Sequence, residues 1–485
     1  MNPTSVPTPT ARCQFGIGRC DITPPVGIYH RFWGAAKHDV ATGVHRPLTA
    51  TVLLLKPLEA DSAEQPHVLI AIDHCLFRQQ EMDELLFETA KLIGIDVENI
   101  VFLFSHTHSA GNHVRDRAHL PGGDLIGPYL DSLPEKIATA FLTASTSLQP
   151  ATMTFAKSHC NMGQHRDFWD EAREHFVCGF NPGNQRSYPV KVVRVTDQAN
   201  EILATIVNYP CHPTTLAWDN TLISPDYIGS LREELEFESE ALCFFMLAPC
   251  GDIGPKDGFR GDTAVADRNG RQVAFSALSA LESMPTAGHD YGYLGPVISG
   301  ATLGDWTWQP LSEPRQKTTS LFRHEFQNCE LAYRSDLPTE EELQNDLQQL
   351  LEQEKSATEN NDLDEARRLR ALAERKRRSL ERSSLLPQGE PFSFPIRCWQ
   401  MGDLIWIVVE GEPYFDLQEK LEARFPDKTL IVSVLANGSN SSYLPREEDY
   451  AQESLYQQSI AILAPGSLET LIEVVASQIE LWNCS

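Results

Sequence analysis

Six short apolar runs, each leading into a polar side chain that can bind metal or carry a proton, constrain this chain more than any other feature. Residues 67–72 lead into Asp73, 100–104 into His106 and His108, 202–207 into His212, and 242–248 into Asp252. Residues 404–409 lead into Glu412, and 430–435 into a loop that carries Tyr443. Runs of this length bounded by Gly, Pro and Ser clusters read as buried strands. Helical spacing follows several of them, over 81–92, 128–144, 228–238, 260–283 and 415–425. Strands 190–195 and 202–207 are spaced for a hairpin. The alternation predicts an α/β fold of mixed sheets flanked by helices. In such folds ligands sit beyond the carboxyl ends of strands, where these polar residues fall. His106 and His108, at i and i+2 in extended chain, project to one side.

Two stretches differ in character. Residues 1–14 are rich in Pro and Thr and are expected to be a flexible tail, and the Gly- and Pro-rich text from Phe15 to Gly34 is expected to loop over one face. Within 337–386, Thr339 and Glu342 fit a capping box. Leu343, Leu347, Leu350 and Leu351 then mark one helix face, and Leu363, Ala366, Leu369, Ala373 and Leu380 a second. The first helix is acidic and the second dense in Arg, so an antiparallel helical hairpin inserted into a single domain spanning 15–485 is the simplest reading. Helices around 450–462 and 468–481 close the chain, while 285–330 has no single pattern.

Charge removes some classes of function. With 40 Lys and Arg against 67 Asp and Glu, the net charge of −27 repels nucleic-acid backbones and anionic lipid. No apolar run is long enough to span a bilayer, so stable membrane insertion is not expected. The 11 cysteines are scattered without a CxxC pair, and the first residues show no basic-then-apolar leader. Both features point to a reducing cytoplasm.

Imidazole nitrogen and carboxylate oxygen are the usual ligands of a catalytic zinc that keeps one position open for water. Such a metal lowers the pKa of that water and polarises a carbonyl. There is no HExxH, so the spacing by itself suggests only a metal hydrolase. Asp73 and Asp252 fit helix caps, or carboxylates that orient a ligand histidine through its second nitrogen. Glu410 competes with Glu412, which could also be a helix-start carboxylate. Cys211 and Cys250 read as packing residues.

The ordered segments FGIGRCDITPP, SHTHSAG, YPCHPTTL with LISPDYIG, APCGDIGP, VVEGEPY and LANGSNSSYLPREEDYAQ resemble those of the neutral, non-lysosomal ceramidases. The resemblance covers most of the chain outside the helical hairpin. It implies a zinc ion held by His106, His212, Glu412 and Tyr443, with His108 facing the substrate or its oxyanion. It further implies Arg166 as an oxyanion partner and Tyr456 on the substrate side, while Asp252, at the end of its own apolar run, is a candidate catalytic carboxylate. Where the family has GDVSPN this chain reads GDIGP, so Gly254 removes a serine nucleophile and leaves a metal-activated water. The family's C-terminal immunoglobulin-like domain and secretion signal have no counterpart here.

The resemblance thus implies a zinc-dependent hydrolase of a linear amide in a small N-acyl compound. The alternatives are a metal-dependent ester or phosphoester hydrolase and a catalytically silent, metal-holding binding protein.

Overall fold

The computed structural model describes residues 4–59, 61, 64–386, 391–438 and 440–484. Eight strands form the main sheet. In chain order they are β1 (Thr10–Asp21), β2 (Thr49–Lys56), β3 (His67–Ile72), β4 (Ile100–Phe104), β5 (Gln149–Cys160), β6 (Tyr188–Thr196), β7 (Ile202–Tyr209) and β8 (Leu242–Leu247). They lie in the order β8-β7-β6-β5-β1-β2-β3-β4. Helices α1 (Gln79–Ile93), α2 (Ile126–Thr146), α3 (Tyr227–Ser239) and α4 (Thr263–Glu282) cover one face.

Strands β9 (Phe322–Leu331), β10 (Phe392–Met401), β11 (Leu404–Val409) and β12 (Thr429–Ser433) form a second sheet in that order. Between β9 and β10 come α5 (Glu340–Glu359) and α6 (Leu363–Leu385), which pack on each other. Helices α7 (Asp416–Arg424) and α8 (Ser467–Cys484) pack together beside the second sheet. The expected mixed α/β fold is what forms.

The alternation of side chains across each strand builds two cores. On β2, Leu53 and Leu55 face the second sheet, meeting Trp399, Trp406 and Ile431. Val52 and Leu54 face the other way, into a core with Leu133 and Ile137 of α2. Sheet packs on sheet, with helices outside both.

The strand connections explain why side chains far apart in sequence can meet. Strands β3 and β4 run parallel at one edge, and β7 and β8 run parallel at the other. Every step between the two pairs is antiparallel, so by bonding order the pairs point in opposite directions. The sheet curls until its two edges meet, with β8 against both β3 and β4. The carboxyl ends of both pairs therefore come to the same place. Residues 434–437 bridge them: Val434 N donates to Leu247 O (3.1 Å) at the end of β8. Asn437 N donates to Phe102 O (2.9 Å), and its side-chain Oδ1 accepts from Phe102 N (2.8 Å) on β4.

The N-terminal expectation is corrected. Of the expected tail, residues 1–3 lie outside the described residues; Ser5–Val6 pairs with a later strand and Thr10–Asp21 is a central strand of the main sheet. What reads as loop in FGIG is a strand whose glycines let a helix approach. A Cβ on Gly16 would lie 2.1 Å from Ala144 O, and one on Gly18 2.2 Å from Ala140 O, both on the backbone of α2. Residues 285–330 contain a long hairpin, His289–Ser299 with Ala301–Pro310, followed by β9. The helix expected over 450–462 is two short turns, Glu447–Ala451 and Tyr456–Ile460.

Helix α6 docks on the body of the domain mainly through charge. Arg117 Nη2 lies 2.8 Å from Glu374, and Arg370 Nη2 lies 2.8 Å from Asp39. Arg78 pairs with Glu381. Burial opposes ionisation of Glu374, but Arg378 and Arg117 outweigh it and hold its carboxyl at about 2. A carboxyl lowered on folding contributes stability above its ordinary pKa and loses it as pH falls toward the folded value. We expect Glu374→Ala to lower stability by about 3 kcal/mol at neutral pH, because it leaves the buried Arg117 only the longer carboxylate contact to Glu381 at 3.8 Å. In urea midpoints measured from pH 7 downward, the gap from wild type should close between about pH 4.5 and 2.

Candidate metal centre

Strand β4 ends at Phe104, and the chain turns sharply into the site. His106 has φ 67°, a left-handed conformation uncommon for a residue with a Cβ. The turn is held by Ser105 N donating to Ile72 O (2.9 Å) and His106 N to His74 O (2.8 Å). Thr107 Oγ1 donates to Ser224 O (2.7 Å), clipping the loop to the segment before α3. A strained backbone with this much support marks a position whose side-chain direction is fixed.

His212 follows β7, and its N–H donates to Ile253 O (3.1 Å) in the GDIGP loop beyond β8. Glu412 follows β11 and pairs in parallel register with Tyr443, so both side chains leave the same face of a short ladder. Gly251 closes the arrangement. Its N–H donates to Pro413 O (3.0 Å), and a Cβ there would lie 2.5 Å from Glu412 O.

These elements bring three donors together. His106 Nε2 lies 3.3 Å, and His212 Nε2 3.0 Å, from the same Glu412 oxygen, Oε2. The Tyr443 hydroxyl lies 3.3 Å from His212 Nε2. His106, His212 and Glu412 are all buried, and their ligand atoms lie within 4.8 Å of one another.

The hydrogen bonds on the far side of each ring decide the tautomer. His106 Nδ1 donates to Cys75 O (2.8 Å), and His212 Nδ1 donates to Cys250 O (2.7 Å). Carbonyls only accept, so each Nδ1 carries the hydrogen and each ring turns its Nε2 inward. Burial lowers His106, but Cys75 and Glu412 outweigh it and hold it well above its ordinary value, so a proton lies between His106 Nε2 and Glu412 where a cation would take its place. Burial pushes His212 down to about 4, and Arg166 adds to this. Burial alone would raise Glu412, but the two imidazoles hold its carboxyl well below the usual range. A cation coordinated by two nitrogens and an oxygen satisfies this set, and the residues fit a zinc-type site.

The orienting role considered for Asp73 and Asp252 belongs to backbone carbonyls instead. Asp73 is held by both Arg232 nitrogens (3.1 and 2.6 Å) and accepts from Thr49 N (2.8 Å). Asp252 accepts from Phe415 N (2.9 Å), which fixes the turn after Glu412 and occupies the candidate catalytic carboxylate away from the convergent atoms. Glu410, the rival of Glu412, faces its own loop and accepts from Ser441 N (2.7 Å).

The other expected residues surround the cluster. His108 Nε2 lies 3.5 Å from His106 Nε2, and its Nδ1 is buried without a partner. Burial and the neighbouring imidazoles keep His108 neutral, well below its ordinary value. The Arg166 guanidinium lies 5.4 Å from the Tyr443 ring and donates to Gly251 O (2.7 Å). Tyr456 is at the rim, largely exposed, with its ring 5.9 Å from that of Tyr443.

Several neighbours are not legible in the sequence. Cys75, with His106 and His108, forms a second group of potential ligands, although its carbonyl already accepts from His106 Nδ1. Gln457 donates to Asp167 (3.0 Å) and to Gly251 O (3.1 Å). Phe32 and Trp33 lie against His108 at ring distances of 4.7 and 5.1 Å, and Trp33 meets Trp218 and Phe259. These come from loops distant in sequence with no shared periodicity. A lone hint was the aromatic dipeptide Phe32-Trp33 ahead of a glycine.

No protein-family model matches the chain. A curated relative, the neutral ceramidase of Pseudomonas aeruginosa, is 21% identical over 335 residues, covering 63% of this chain and 48% of that protein. The chain therefore spans about half the length of the curated relative it matches. A solved ceramidase complexed with C2 superposes with a TM-score of 0.62 at 14% identity, over 97% of this chain and 74% of that one. The crystal structure of the neutral ceramidase from Pseudomonas aeruginosa gives a TM-score of 0.60 at 15% identity over the same shares.

Dialysed His212→Ala and Glu412→Gln proteins should retain well under one metal ion per chain by elemental analysis. Glu410→Gln should retain the wild-type content. Loss from Glu410→Gln alone would reverse the assignment of the two glutamates.

Proposed function

We infer that this neutral-ceramidase-family domain is a metal-dependent hydrolase that cleaves the linear amide bond of a small N-acyl compound. The observation that carries the reading is the convergence of His106 Nε2, His212 Nε2 and Glu412 Oε2, with both Nδ1 atoms tied to backbone carbonyls. Zinc is the metal these donors suit, with Tyr443 as the fourth ligand. When bound, it supplies Lewis acidity for a carbonyl and lowers the pKa of water.

The chain's own residues supply the rest. Tyr443 and Arg166 lie beside the cluster, where the carbonyl oxygen of a bound amide gains negative charge. His108 is neutral and its Nε2 lies 3.5 Å from His106 Nε2, so it can accept a proton from water and return it to the departing amine. The wall of Phe32, Trp33, Trp218 and Phe259 offers apolar surface to an acyl chain. Gly254 stands against the Arg166 side chain and offers no hydroxyl, in keeping with water as the nucleophile. Among the described residues no helix is long and apolar enough to cross a membrane.

The test is a panel of N-acyl amines, acyl esters and phosphoesters assayed before and after chelation. Cleavage of N-acyl amines that is lost on chelation and restored by zinc is the expected result. His108→Gln should lower kcat by about 100-fold or more while the bound metal remains. Turnover confined to esters or phosphoesters, or undiminished after chelation, would contradict the reading.

A further inference from the structure

Helix α6 is strongly basic, and nearly all of its charge is matched. Arg367 pairs with Asp364 at 3.0 Å, Arg368 with Glu365 at 2.6 Å, and Lys376 with Asp346 at 2.6 Å. Arg377 and Arg378 both reach Glu374, and Arg375 donates to Ser459 Oγ (2.8 Å). Arg382 is different. Among the described residues it has no hydrogen bond and no ion pair, although it is only partly exposed. A guanidinium carries five donors, and the fold takes up none of these.

Its position gives that exception meaning. Arg378, one turn earlier on the same face, lies over the Phe32 ring at 4.9 Å, and Phe32 in turn touches His108. Arg382 lies one turn further on, with Tyr456, Glu412, Arg378 and Tyr443 as its electrostatic neighbours. Like charges at i and i+4 on a helix disfavour each other, so Arg378 and Arg382 side by side at the site's mouth carry a cost in the free protein. An anion between Arg382 and Tyr456 would remove it. The aromatic wall begins at Phe32 under Arg378, and Arg382 lies one turn further along α6, so an acyl chain on the wall and an anionic head at Arg382 fit one extended molecule.

We propose that Arg382, delivered by the helical hairpin, selects N-acyl compounds whose amine portion bears an oxyanion, a carboxylate or a phosphate. This rests on the amide-hydrolase reading for the identity of the N-acyl group, but not for the recognition of the anion. A neutral N-acyl amino alcohol leaves the guanidinium without an acceptor. An N-acyl amino acid gives it a planar, bidentate one.

The experiment compares matched ligands on the metal-loaded protein. N-dodecanoylglycine is set against its neutral glycinamide, and N-dodecanoylethanolamine phosphate against the free alcohol. Binding is read by calorimetry and cleavage by amine release. Wild type should favour at least one anionic member by about 10-fold or more, with the carboxylate and phosphate arms showing which oxyanion is preferred. Arg382→Gln should bring that ratio to within about 2-fold, and Arg382→Lys should recover part of it. Since Arg382 anchors nothing in the fold, the urea midpoints of the variants should match wild type. Equal binding of anionic and neutral members by wild type, or a preference that survives Arg382→Gln, would overturn the proposal. If binding follows the expected pattern while no amide is cleaved, the anion site stands and the hydrolase reading fails.

Discussion

Two hydrogen bonds from imidazole Nδ1 to backbone carbonyls hold the rest of the site in its sense. Because Cys75 O and Cys250 O can only accept, His106 and His212 keep Nδ1 protonated and turn Nε2 toward one carboxylate oxygen. Without those bonds either ring could rotate or change tautomer, and the cluster would become an ordinary set of buried polar groups satisfied by internal protons. With them, both Nε2 atoms and the carboxylate oxygen are aimed at one point, where a cation can take the place of a proton. Burial raises the stakes, since unsatisfied polar groups cost most where water cannot reach.

The scaffold explains how that convergence arises from distant segments. The two parallel strand pairs stand at the two ends of the strand order of a broad sheet, which curls until β8 lies against β3 and β4 and brings their carboxyl ends together. The second sheet packs on this curved surface and adds Glu412 and Tyr443 from the ends of its own strands. Asn437 fastens the Tyr443 loop to the strand that delivers His106. The metal-type cluster is thus fixed by sheet geometry, while the hairpin helix α6 reaches the same mouth from outside with Arg378 and Arg382. Reaction chemistry and substrate preference reside on separate elements, so the second can change while the first stays in place.

Much of this was legible in the amino-acid sequence, for a physical reason. Strands buried on both faces are continuous apolar runs, and their ends are easy to see; residues 100–104, 202–209, 242–247 and 404–409 all fall there. The polar residue after each run is then a candidate by position alone. The choice of His106, His212, Glu412 and Tyr443 from those candidates came from the order of motifs, which spacing could not supply. Strand β1 was misread because its two glycines, read as turn formers, serve a close helix approach that only the folded chain reveals. Asp252 is a candidate by the same rule, and one of its oxygens accepts from the Phe415 amide that starts α7. Arg382 was indistinguishable from its neighbours in a run of arginines, since the partners that neutralise the others lie three or four residues away or across the fold.

The central claim is that the cation is bound by nitrogen and oxygen from His106, His212, Glu412 and Tyr443, and not by the adjacent Cys75 group. X-ray absorption at the edge of the bound metal separates the two directly. We expect a shell of N and O scatterers at about 2.0–2.2 Å, with the multiple-scattering signature of two imidazoles. A sulfur scatterer at about 2.3 Å would place the metal on Cys75 and contradict the account.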